Sequence, residues 1–139
     1  MTNDELCFTP ATALVPLIRR RKVSPLELMK AVLARIERVN PSLNAYCTVA
    51  AEQALAAARK ATAALGKRGA VLGPLHGVPV SIKDLTPTKG IRTTWGSKVY
   101  EHHVPDADGL VVERLKAAGA IVVGKTNTPE FGAGANTFN

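Results

Sequence analysis

Two lysines carry the spacing that could do chemistry. Lys125 closes the stretch GAIVVGKT at residues 119–126, which satisfies the phosphate-loop pattern G-x-x-x-x-G-K-[ST] letter for letter. In a working phosphate loop the intervening residues form a cradle of backbone N–H groups, and a helix begins at the Lys-Thr pair. Here those residues are Ala-Ile-Val-Val, mostly β-branched, and they favour extended pairing over a tight anion nest. Pro129 would fall inside the required helix, and it biases Thr128 toward extended backbone. Nucleotide binding is therefore set aside. The stretch reads instead as a helix end at Gly119, a buried strand over 121–123, and a segment over 124–127 leading out of it.

Lys83 is the more promising lysine. Residues 78–84, Val-Pro-Val-Ser-Ile-Lys-Asp, read as a strand with Val80 and Ile82 on one face and Ser81 and Lys83 on the other. A lysine near the end of an apolar strand, leading into a long loop, stands where an α/β sheet places functional groups. Desolvation lowers a lysine's pKa, and the neutral amine is then a base, which is how Ser-Lys hydrolases replace histidine. The residues leave a second reading open, a solvated lysine at a strand end or in a surface ion pair. His102 and His103, followed by Asp106 and Asp108, gather metal-ligand types, but adjacent histidines on an extended segment point in opposite directions. A polar surface loop explains them equally well. His76 reads as a turn residue satisfied by the backbone. No G-x-S-x-G or S-x-x-K pattern marks a nucleophile, and Ser97 lacks the glycine such an elbow needs.

The elements that must position Lys83 follow from pattern and punctuation. Thr9-Pro10 reads as a cap with proline at the first helical position, opening a helix to about Arg21 that Pro16 starts later or kinks. Ser24-Pro-Leu-Glu27 is a capping box. Leu28, Val32, Ile36 and Val39 recur behind it at helical spacing, and Asn40-Pro41 should stop that helix. A short strand is expected over 45–49, then an alanine-rich helix over 50–65 closed by Gly66. From Asp84 to Asp106 glycine, proline and threonine dominate without a period, and ordered loops of that length are usually functional. An amphipathic helix over 108–118 precedes the strand at 121–123. Helices first, then strand–loop–helix–strand, give an α/β class.

Composition narrows the partners. The chain has 139 residues, 46% hydrophobic and 21% charged, as expected of a globular domain. Its net charge is +7, yet only 4% of residues are aromatic, and nucleic-acid binders that stack bases need such platforms. The run Arg19-Arg-Arg-Lys22 sits where cations favour a helix C-terminus, so no direct nucleic-acid partner is expected. No stretch is long and apolar enough for a membrane, and the first residues carry no secretory pattern. Cys7 and Cys47 form no metal or disulfide framework, which fits a cytoplasmic setting.

These residues together resemble the amidase signature family. The resemblance lies in residues 73–84 (GPLHGVPVSIKD), 93–97 (TTWGS), 106–108 (DAD), 115–120 (LKAAGA) and 123–127 (VGKTN), with Glu130-Phe131. Arg35-Ile-Glu and Asn40-Pro41 extend it into the opening helices, so it covers nearly the whole chain. It implies a mixed sheet flanked by helices and hydrolysis or transfer at a carboxylic amide C–N bond through a Ser–cis-Ser–Lys triad. Lys83 matches the triad lysine, which would take a proton from the bridging serine and so activate the nucleophilic one. No metal and no organic cofactor are implied. In the family both serines and a glycine-serine-rich loop lie beyond the segment matching 126–131, whereas here no serine follows Ser97. The expectation is an incomplete amidase domain over 1–139, inactive alone. Residues 1–66 would form a helical region with one short strand, and 73–139 a strand–loop–helix–strand segment carrying Lys83. The intact enzyme would act on a small-molecule amide, with a homo-oligomer possible. A tRNA-dependent amidotransferase of the A type and a non-catalytic, partner-binding fragment are the alternatives.

Overall fold

The computed structural model describes residues 1–137; the last two positions of the 73–139 segment lie outside the described residues. Its helices come mostly first. Helix α1 (Asn3–Phe8) opens with a capping box in which the Thr2 hydroxyl accepts from Glu5 N and the Glu5 carboxylate accepts from Thr2 N. The Thr-x-x-Glu spacing announces it, but the expected first helix was placed later. Helix α2 (Ala11–Arg19) has Pro10 as its cap residue rather than as its first helical residue, and it carries Pro16 within it. Thr9 caps the C-terminus of α1 instead, its hydroxyl donating to Glu5 O at 2.6 Å.

Helix α3 (Pro25–Leu43) starts on the expected box of Ser24 and Glu27, but it runs past Pro41 and ends at Asn44, whose φ is 49°. Proline in the last turn forgoes a single N–H near an end where the ladder is already failing. The Asn40 side chain then holds the turn into the sheet, accepting from Tyr46 N at 2.8 Å and donating to Tyr46 O at 3.1 Å. Strand β1 (Tyr46–Val49) follows, then α4 (Ala51–Leu65), closed at Gly66 in right-handed rather than left-handed conformation. Strand β2 (Pro79–Lys83), α5 (Leu110–Ala117) and β3 (Ile121–Thr126) complete the main elements. The loop between β2 and α5 contains a short 3-10 turn, Lys98–Tyr100.

The three strands lie in the order β1-β3-β2, with β2 parallel and β1 antiparallel to β3. One face packs Ile121 and Val123 onto Met29 of α3 and Ala54 and Ala58 of α4. The other packs Ile82 and Val122 onto Ile91 and Val112 of α5. Leu6, Leu14, Ile18 and Leu28 bind the first helices to Val78 at the foot of β2.

Strand β3 is longer than expected, because residues 124–126 belong to it. It also bulges. Val80 pairs with Val122, but Ser81 pairs with Gly124 and Ile82 with Lys125, so β3 spends one extra residue there. Strand β1 shifts farther along, between Tyr46 and Thr48, opposite Thr126 and Lys125. Gly124 permits this crossing: a Cβ on it would stand 2.3 Å from Thr48 O. The extra residue reverses the alternation of side chains beyond it, which places Lys125 on the Val80–Ile82 face.

Candidate active site at the ends of two parallel strands

Lys83 is the last residue of β2, opposite Thr126 at the end of β3. Its side chain is exposed and makes no hydrogen bond or ion pair among the described residues. It shares a face with Ser81, also exposed, whose hydroxyl is hydrogen-bonded to the Tyr46 hydroxyl across the sheet. In the described residues, then, Lys83 is the solvated strand-end lysine.

The next residue is its opposite. Asp84 is fully buried. Its backbone N–H donates to Thr126 O at 2.9 Å, continuing the ladder by one rung, and its carbonyl accepts from Trp95 N at 3.0 Å. Its carboxylate accepts from Thr94 N at 3.1 and 3.2 Å and from the Thr94 hydroxyl at 2.5 Å. The loop therefore returns to the residue from which it departs.

Lys125 occupies the space between those two arms and is 0% exposed. Its Nζ donates to Thr86 O at 2.5 Å and Thr88 Oγ1 at 3.0 Å on the outgoing arm, and to Thr93 Oγ1 at 2.8 Å on the returning one. An ammonium has three protons to give, so the group is satisfied. Asp84 Oδ1 lies 3.8 Å away and supplies the countercharge. Burial pushes the Lys125 pKa down to about 8, against the pull of the Asp84 carboxylate. The thiol of Cys47, on the neighbouring strand, is pushed up to about 11, first by burial and then by Asp84. Lys125 was set aside with the phosphate-loop pattern, and Asp84 was read only as the end of a strand. The signal that could have found the pair was a lysine and an aspartate adjoining two apolar strands, each followed by threonine-rich chain.

Two tight turns face each other beyond this pair. Trp95 (φ 52°) and Gly96 (φ 71°) form one, closed by Ser97 N donating to Thr94 O at 3.0 Å. Phe131 (φ 48°) and Gly132 (φ 75°) form the other, closed by Ala133 N donating to Glu130 O at 3.0 Å. A bulky residue with positive φ is strained, and such strain concentrates at functional sites. The turns are joined: Phe131 N donates to Trp95 O at 2.7 Å, and the buried Ser97 hydroxyl donates to Glu130 Oε1 at 2.6 Å. Ser97 is thus a structural hydroxyl here, engaged by a carboxylate. An open groove of about 640 Å³ runs along these turns, lined by Gly96, Lys98, Thr128, Glu130 and residues 133–136 among others.

His76 and His103 pack within the fold, whereas His102 is exposed. His76 Nε2 lies 2.9 Å from Ala61 O in the expected turn. His102 stands beside Glu101 at 3.4 Å, and the His103 ring packs on Trp95 with centroids 5.1 Å apart. Among the described residues no group of three or more His, Cys, Asp or Glu is placed to hold a metal ion.

A family model described as Amidase matches residues 27–139. The A-type component of glutamyl-tRNA(Gln) amidotransferase from Carboxydothermus hydrogenoformans is 45% identical over 135 residues, which is 97% of this chain and 28% of that protein. Its counterpart from Geobacter metallireducens is 47% identical over 119 residues, 86% of this chain and 24% of that protein. Among solved structures, one described as an amidase is 34% identical with a TM-score of 0.81, covering 91% of this chain and 28% of its own. Fatty acid amide hydrolase superposes with a TM-score of 0.85 at 24% identity, covering 93% of this chain and 23% of its own, a likeness of fold alone. The chain spans about a quarter of the length of these curated relatives.

Proposed function

The chain belongs to the amidase family, and from that premise we propose that it supplies the lysine base of a site that cleaves carboxylic amide C–N bonds. The observation that carries the reading is the placement of Lys83, at the end of β2 with the buried Asp84 carboxylate locking the next residue. In the reaction, neutral Lys83 takes the proton of a bridging serine, which takes the proton of a second serine as that oxygen attacks the amide carbon. The oxyanion formed meets backbone N–H groups, the C–N bond breaks, and the departing amine takes back the proton. Water then releases the acyl group by the same relay. Both serines come from sequence outside these residues. On this reading that sequence also covers Lys83, which is exposed among the described residues, since desolvation is what favours a neutral amine.

The test joins this chain to the region its 45%-identical relative carries beyond the matched residues. Lys83→Ala in that protein should lower amide turnover by a factor on the order of 10²–10⁴, the usual worth of a positioned general base. The far-ultraviolet spectrum should stay unchanged. Turnover at the parent rate would end the assignment.

A second reading within the class has its own support. Eight relatives at 43–47% identity carry the name of the A-type component of glutamyl-tRNA(Gln) amidotransferase. On that reading the amide is glutamine, and the ammonia passes to a partner protein. Turnover of glutamine that rises when the partner proteins are added favours it; indifference to partners with turnover of simple amides favours a free-standing hydrolase.

A further inference from the structure

We propose that Lys125 is the positioning residue for Lys83, acting through Asp84 and the loop that both hold. This rests on the reading of Lys83 as the base. The geometry has two parts. Strand pairing fixes Lys83 on one side only, since β2 hydrogen-bonds to β3 and to no other described strand. What fixes it along the chain is the next residue, and Asp84 is clamped from both ends: by Thr126 O through its N–H, and by Thr94 and Trp95 through its carboxylate and carbonyl. Those clamps hold only while the returning arm of the loop stays against the outgoing one. The Lys125 ammonium ties the arms together, through Thr86 and Thr88 on one and Thr93 on the other.

The chemistry of the choice argues in the same direction. Holding two loop arms together needs no charge, and an apolar side chain of similar length could fill the space without desolvating an ammonium. An ammonium does what an apolar group cannot: its donors fix direction to three separate oxygens, and its charge faces the buried Asp84 carboxylate at 3.8 Å. A loosened loop would let Asp84 turn, and Lys83 would swing with it. Displacement of a reacting group by about 1 Å can cost on the order of 100-fold in rate while leaving binding untouched.

The experiment uses the joined protein described above, with Lys83→Ala as its reference. Lys125→Met keeps length and volume and removes the donors and the charge. Its kcat should fall about 10- to 100-fold with KM within about twofold, and the acid limb of the pH profile should stay in place, since the base is displaced rather than replaced. Amide hydrogen exchange at Thr94 and Trp95 should quicken in parallel. Should Lys125→Met not fold, the double variant Thr88→Val, Thr93→Val removes two acceptors at nearly constant volume and should show the same split in milder form. A parent kcat in whichever variant folds, with exchange at Thr94 quickened, overturns the positioning role and leaves Lys83 as the base. Unchanged turnover in Lys83→Ala overturns the reading beneath it.

Discussion

Lys125 is the largest fully buried side chain of the described residues, and its charge has consequences that the apolar core does not share. Its pKa falls from 10.5 to about 8 on folding. Between those values the unfolded chain binds a proton that the folded chain has released, so stability rises with pH across that window. Cys47 opposes it, its pKa raised from 9.0 to about 11. Between those values the folded chain keeps a thiol proton that the unfolded chain loses, and stability falls. Urea midpoints should therefore climb from pH 8 to 9 and flatten above 9. Cys47→Ala should extend the climb and Lys125→Met should abolish it; a midpoint falling from pH 8 to 9 in the parent would contradict the buried ammonium. At this scale the sequence was half legible. Alternation put Lys83 on the right face beside Ser81, and the turn role of His76 was readable from its neighbours. Lys125 was not, because its surroundings come from residues 84–94, brought against it by a fold no local pattern describes.

The element that decides where these lysines point is β3, and Gly124 is where it turns. With Thr48 O 2.3 Å from the place of a Cβ, Gly124→Ala should force β1 away from β3. A cost of about 1–3 kcal/mol is expected, in line with other overpacked sites. Thermal unfolding measures it, and the loss should exceed that of Thr2→Ala. That change removes the α1 cap and costs about 1 kcal/mol. Equal losses would place the strain elsewhere. Helices α2 to α5 were legible, since caps and periodicity are local, and the Ser24 box was placed to the residue, but α1 was missed although its Thr2–Glu5 box lies in the sequence. Boundaries were not. The strand was stopped at Val123 because glycine and lysine are poor strand formers, and α3 at Asn40 because proline usually ends helices; pairing with two neighbours and the Asn40–Tyr46 bonds prevailed.

At the scale of the molecule, β1 and β2 each leave an outer edge unpaired among the described residues. Apolar side chains also stand in solvent near the candidate site, with Val99 82% and Phe131 57% exposed. Open edges and exposed apolar groups promote association. Sedimentation of the 139-residue chain at tens of micromolar should show self-association. A single monomeric boundary would count against it. The family resemblance was legible because its segments are contiguous, and the α/β class followed from element order; the opposition of two strained turns was not, since residues 95 and 131 meet only in space. One of those turns carries a further consequence. Trp95 is the chain's sole indole, packed between Tyr100 and His103 and bonded to the Asp84 carbonyl. Its fluorescence is thus an optical gauge built into the loop: emission should shift to the red as the arms part and the ring leaves its neighbours for water, with no label attached.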